Sequence, residues 1–103
     1  AYNKKTGDIA YIRPINKVFQ LCSISINDPK LREKRLTSCA GDKLDPSWSP
    51  RDRHIAFTYD FKNNKGKRIP QIAILAISSG RIRVITSDNY PKSFPTWTNP
   101  PFG

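Results

Sequence analysis

The stretch "DPSWSPRDRHIAFTYD" (45–60) places a turn between two short extended runs. In "SPRD", Pro50 presets the φ angle of a turn, and Asp52 tolerates a left-handed backbone where Gly would be easier. Ser49 and Asp52 are expected to bond the turn backbone. The following "HIAFTYD" (54–60) is aromatic and branched, as a half-buried strand is. A weaker copy, "SFPTWTNP" (93–100), lies near the end of the sequence.

Further strands flank this segment on both sides. "DIAYIRP" (8–14), "FQLCSISI" (19–26), "EKRLTS" (33–38), "QIAILAI" (71–77) and "RIRVITS" (81–87) read as short strands, and "SFPTWT" (93–98) as the last. "NDP" (27–29) and "SSG" (78–80) are turns, and "NNKGKR" (63–68) is a loop. "QIAILAI" is apolar at nearly every position, which predicts a strand covered on both faces. No apolar residues recur at helical spacing over ten or more positions, and nine prolines interrupt the chain. The fold class is therefore all-β.

The chain also aligns with itself. Trp48-Ser49 falls on Trp97-Thr98, and "RLTS" (35–38) falls on "VITS" (84–87) with the same offset. "IAYI" (9–12) falls on "IAFT" (55–58) with a slightly shorter one. A repeat of about 40–50 residues holding four short strands is the signature of a β-propeller blade. The expected architecture is a partial β-propeller of about two antiparallel four-stranded blades. Residues 1–44 form a partial blade that starts at its second strand, 45–92 a full blade, and 93–103 the first strand of a further one.

"WSPRDRHIAFTYD" together with "QIAILAISSGRIRVITS" resembles the TolB-type, or WD-like, propeller repeat. Trp48, Ser49, Pro50, Ile55, Ala56, Phe57, Ile72, Gly80 and Thr86 stand at matching positions. Arg51-Asp52 replaces the Asp-Gly of the repeat's turn. The resemblance implies that Trp48 and Trp97 anchor packing between blades. It also implies a protein-interaction scaffold of the bacterial cell envelope, placed in the periplasm or otherwise exported. Two alternatives remain: the non-catalytic propeller portion of a larger, peptidase-like hydrolase, and a carbohydrate- or polyanion-binding module using the "NNKGKR" loop.

Two blades cannot close a ring, and each bare sheet face needs a cover. The sequence contains no Met and opens inside a blade. A piece of a longer propeller is therefore expected, with further blades supplied by the same chain or by homo-oligomerisation.

Cys22 and Cys39 are the two cysteines. Folding the intervening hairpin about residues 30 and 31 sets them opposite each other, within reach of a disulfide. Such a bond would point to an oxidising compartment. The alternative is two reduced thiols, one buried and one in a loop.

Lys and Arg number 18 against 8 Asp and Glu, a net charge of +10. In an up-and-down blade these charges divide between the two ends of the sheets. Lys30, Arg32, Lys34, Arg51, Arg53 and Arg81 fall at one end. Lys17, Lys43, Lys62, Lys65, Lys67, Arg68 and Lys92 fall at the other. Division between ends disfavours a nucleic-acid groove. At the second end the aromatic Tyr59 and Phe61 join Lys62, Lys65, Lys67 and Arg68, a set suited to a protein partner.

No chemistry is legible. His54 has no nucleophile motif before it, the carboxylates are scattered, and "KNNKGKR" lacks the Ser or Thr of a phosphate loop. One His and no CxxC pair give no zinc site. A non-enzyme without cofactor is expected. No apolar run approaches the roughly 20 residues that span a bilayer.

Overall fold

In the computed structural model, residues 1–51, 53–62 and 65–86 are described. They form two four-stranded antiparallel meanders, β1-β2-β3-β4 and β5-β6-β7-β8. The first contains β1 (Tyr2–Asn3), β2 (Asp8–Ile15), β3 (Val18–Ser25) and β4 (Glu33–Arg35). The second contains β5 (Asp42–Trp48), β6 (His54–Asp60), β7 (Gln71–Ala76) and β8 (Ile82–Val84). Among the described residues no helix is long and apolar enough to cross a membrane. The expected strand 93–98, with Trp97, and the turn residue Asp52 lie outside the described residues.

The first sheet has one strand more than its sequence suggests. Tyr2–Asn3 pairs with Asp8–Ile9 and supplies the strand that the reading of a partial blade lacked. Two residues are too few to show alternation, so their pairing is set by neighbours. The N-terminal ammonium donates to the Ala10 carbonyl at 2.6 Å, and the Ala10 amide donates to the Ala1 carbonyl at 2.8 Å.

Local backbone chemistry explains the turns. Asn16 and Lys17 link β2 to β3 with φ of 52° and 67°, the left-handed pair that matches the twist of a two-residue hairpin. Asn takes this conformation readily, whereas Lys17 is strained in it. Between β3 and β4 the Asp28 carboxylate accepts from the amides of Lys30 (3.0 Å) and Arg32 (3.2 Å). In β5 the register slips between Leu44 and Ser47, where Asp45 has φ 52° and Pro46 has no amide to donate. Thr58 Oγ1 donates to Asp45 Oδ2 at 3.2 Å and fixes the bulge.

The core lies between the sheets. Ala10 and Leu21 of the first meet Ile55, Phe57, Ala73 and Leu75 of the second, with Ile12, Leu36, Trp48, Tyr59 and Ile82 at the margin. β5 packs on both β2 and β3. The expectation that β7 is covered on both faces is corrected. Gln71, Ala73 and Leu75 are buried, but Ile72, Ile74 and Ala76 on the other face are only half-buried. On the far face of the first sheet the Glu33 carboxylate accepts from the Tyr11 hydroxyl, and from Arg13 Nη2 at 2.7 Å.

The repeat residues Trp48, Ser49 and Pro50 lie within the described residues. Trp48 Nε1 donates to the Ala1 carbonyl at 3.0 Å, tying the second sheet to the start of the first. The Ser49 amide donates to the His54 carbonyl (2.9 Å), and Ser49 Oγ accepts from the His54 amide (3.2 Å). The Pro50 carbonyl accepts from Lys5 Nζ at 3.1 Å.

The Cys22–Cys39 disulfide does not form, and both thiols are free. The Asp28-centred turn tightens the hairpin, so Arg35 and not Cys39 stands opposite Cys22. Cys39 lies beyond the end of β4, with its Sγ 3.6 Å from the Tyr59 hydroxyl. Cys22 is buried and Cys39 exposed, and burial pushes the Cys22 thiol up from its usual range.

Two measurements check this arrangement. Phe57→Ala removes a fully buried ring and should cost about 3–5 kcal/mol in urea unfolding, whereas Phe19→Ala, 42% exposed, should cost far less. Thiol labelling without reductant should find both cysteines reactive in denaturant, and Cys39 reacting well before Cys22 in the folded protein. Absence of free thiol would restore the disulfide.

Candidate interaction site

At the end of β6 away from His54, three chain segments meet. The β2–β3 turn brings Lys17 and Val18, the link between the sheets brings Ala40, Gly41 and Asp42, and the β6 terminus brings Tyr59, Phe61 and Lys62. Arg68 closes the ring from the following loop, where it bridges back to Lys62. Together they line an open cavity of about 450 Å³.

Its floor is aromatic. Tyr59 lies 5.6 Å from the buried Phe57 ring and 4.6 Å from Phe61, centroid to centroid. The three occupy every second position along β6 and just past its end, so one row of rings runs from the core to the surface. Gly41 sits against this row with φ 91°. A Cβ there would fall 2.7 Å from the Tyr59 ring and 2.9 Å from Phe61 Cβ. Only glycine allows the link to pass so close in that conformation.

Beneath the floor, Lys43 is fully buried. Its Nζ donates to the Cys39 carbonyl, and to the Ala40 carbonyl at 3.3 Å, and stands 5.4 Å from the Tyr59 ring centroid. Burial pushes the Lys43 ammonium below the usual lysine range, against the opposing pull of Cys39 and Asp42. From the first sheet, Gln20 Nε2 donates to the same Cys39 carbonyl at 2.9 Å, and Thr37 Oγ1 donates to Gln20 Oε1 at 2.6 Å. The Tyr59 hydroxyl donates to the Ala40 carbonyl at 3.0 Å. Residues 39 and 40 are thus held by buried polar groups of both sheets.

The rim is charged. Arg68 reaches Asp42 Oδ2 at 3.1 Å and Asp60 Oδ1 at 3.2 Å, while Asp42 Oδ1 accepts from the Phe19 amide at 2.9 Å. Arg68 therefore staples the loop to β5 and β6 of the second sheet, and Asp42 in turn holds the Phe19 amide of the first. Of the residues expected to form a partner-binding set, Tyr59, Phe61, Lys62 and Arg68 come together. Lys65 and Lys67 are exposed on the loop leading to Arg68 and are not in the cavity lining. Lys43 belongs to the floor and not to the charged surface. Sequence reasoning did not single out Gly41 and Asp42; the adjacent pair at the entry to β5 was the available signal.

Burial, reinforced by Cys39, pushes the Tyr59 phenol well above the ordinary tyrosine range, and burial with Glu33 pushes Tyr11 up to about 12. A phenol raised by folding contributes stability that is complete below its unfolded value of about 10 and lost as pH climbs through the folded value. Alkaline titration followed at 295 nm should therefore show late-ionising phenols in the folded protein. Tyr59→Phe should delete one of them and flatten the loss of stability above pH of about 10.

No protein-family model matches the chain, and no curated protein matches it. Among solved structures it is similar to "putative TolB from Agrobacterium tumefaciens", with a TM-score of 0.75 and 26% identity. The likeness covers 91% of this chain and 31% of that one, so the chain spans about a third of that structure's length. With two four-stranded antiparallel meanders, tied to each other at Trp48 and Pro50, the chain fits a TolB-like β-propeller segment, two blades of it among the described residues.

Proposed function

We propose that the chain is a non-catalytic propeller segment that acts as a protein-interaction scaffold of the bacterial cell envelope. The observation that carries this reading is the cavity where the two sheets meet. Its wall at residues 39 and 40 is held from behind by buried polar groups of both sheets, while its lining offers two aromatic rings, Lys17 and Lys62. Rigid rings ordered from the core outward provide contact area at little entropic cost, which suits protein recognition. The two lysines have the charge to steer an acidic segment of the partner. Placement in the periplasm rests on the likeness to TolB, since the free cysteines withdraw the support that a disulfide would have lent.

A photo-crosslinking residue at Phe61 should join the chain to one discrete envelope protein. Replacing Lys17 and Lys62 by Glu should weaken capture about tenfold, and the same replacement at the exposed Lys4 and Lys30 should leave it within about twofold. Absence of any discrete adduct, or equal loss from both pairs, would overturn the reading.

A further inference from the structure

We propose that the end of the two sheets opposite the cavity docks on an anionic lipid bilayer, with Leu31 as its inserted tip. Four turns meet at that end. They link β1 to β2 (residues 4–7), β3 to β4 (26–32), β5 to β6, and β7 to β8 (77–81). Hydrogen bonds join them to one another. Asn27 Nδ2 donates to the Thr6 carbonyl at 3.1 Å, and the Ile26 amide to the Gly7 carbonyl at 2.8 Å. Lys5 Nζ donates to the Pro50 carbonyl at 3.1 Å, and the Ile77 amide to the Arg53 carbonyl at 3.0 Å. The four turns therefore form one continuous row across both sheets.

Each turn in the row presents an exposed cation: Lys4, Lys30, Arg51 and Arg81. Lys5, Arg32 and Arg53, also exposed, add to them. Within these turns Asp28 is the one carboxylate among the described residues, and Arg32 holds it at 3.1 Å. A bilayer spreads its charge over a plane, so it attracts the summed charge of the row whichever face of a sheet each side chain leans toward. Convergence on a pocket is not required. At the cavity end, by contrast, Asp42 and Asp60 sit among the cations and take up Arg68.

The same row exposes apolar side chains. Ile26 is 51% exposed, Leu31 56% and Ile77 36%. Leu31 is the clearest case. Its φ of 46° lies in the left-handed region that glycine takes with less strain. Its amide donates to the Asp28 carbonyl at 2.9 Å, and the Asp28 carboxylate accepts from the amides of Lys30 and Arg32 on either side, so the tip is rigid. Leu31 takes no part in the core between the sheets. A branched apolar side chain held out in water between two cations suits insertion at headgroup depth, with the cations on the lipid phosphates.

The test is flotation with vesicles of mixed phosphatidylglycerol and phosphatidylcholine, against vesicles of phosphatidylcholine alone. The chain should bind the mixed vesicles and not the neutral ones, and should lose about tenfold in affinity between low and physiological salt. Lys4→Glu with Lys30→Glu should weaken binding about 30-fold, whereas Lys17→Glu with Lys62→Glu at the cavity end should change it by less than about threefold. The first pair leaves the cavity intact, so this outcome is independent of the partner proposed there. Leu31→Gly removes the apolar tip and relieves its backbone, so the urea midpoint should hold while binding weakens about fivefold. Leu31→Trp, which keeps an apolar tip suited to the interface, should tighten binding. Binding unmoved by Leu31→Gly, equal losses from the two lysine pairs, or no binding of the unsubstituted chain to the mixed vesicles overturns the proposal. Tighter binding to soluble polyglutamate than to the mixed vesicles overturns it in favour of an acidic protein.

Discussion

The buried Lys43 ammonium is the constraint on which the junction of the two sheets depends. A cation withdrawn from water is costly unless its donors are used. Here they are used on the carbonyls of residues 39 and 40, with the Tyr59 ring alongside. Those carbonyls must therefore turn inward, which brings Gly41 against the aromatic row and leaves Asp42 able to reach both Phe19 and Arg68. The cavity wall follows from this one demand for solvation. Gln20 and Thr37 meet the same demand from the first sheet, so the wall belongs to neither blade alone.

At the other end of β5 the coupling is made by the repeat residues. Trp48 reaches the Ala1 carbonyl, Ser49 closes the turn onto His54, and the Pro50 carbonyl takes Lys5. β5 is thus fastened to the first sheet at its start through a buried lysine and at its finish through an indole. Between them lies a core of modest size, in which Phe57 is the only ring that is fully buried among the described residues. For a thin core, polar fastening of this kind sets the relative position of two sheets more sharply than apolar contact, which is indifferent to small slips.

Much of the architecture was legible in the sequence because strand pattern and turn chemistry agree. β6 spans the residues its pattern indicates, β2 and β7 differ by a residue at one end and β3 by one at each end, while β4 and β8 are shorter than the runs that predict them. Tyr2–Asn3 was not legible, because a two-residue strand has no period. The cysteine pairing failed for a related reason. Sequence spacing locates a hairpin, but the register depends on which carboxylate captures the turn amides, and Asp28 moved the centre. In the candidate site, residue types and their shared end of the sheet were readable. That Lys43 points inward and Arg68 is held by two aspartates was not, since both depend on contacts between segments distant in the chain.

The outline of the sheet margins has a consequence for how the chain meets its own copies. An unpaired strand edge is a template for intermolecular pairing, and long flat edges nucleate fibres. Here β4 is three residues, Glu33-Lys34-Arg35, all exposed and charged, and β1 has two. The free side of β5 is broken by Pro46 and a bulge, and β8 is three residues with Arg83 at its centre. The most fibre-prone segment, "IAILAI" (72–77), lies mostly within β7, which is paired on both sides. Among the described residues, edge-to-edge polymerisation is thereby discouraged without any strand being capped by a helix.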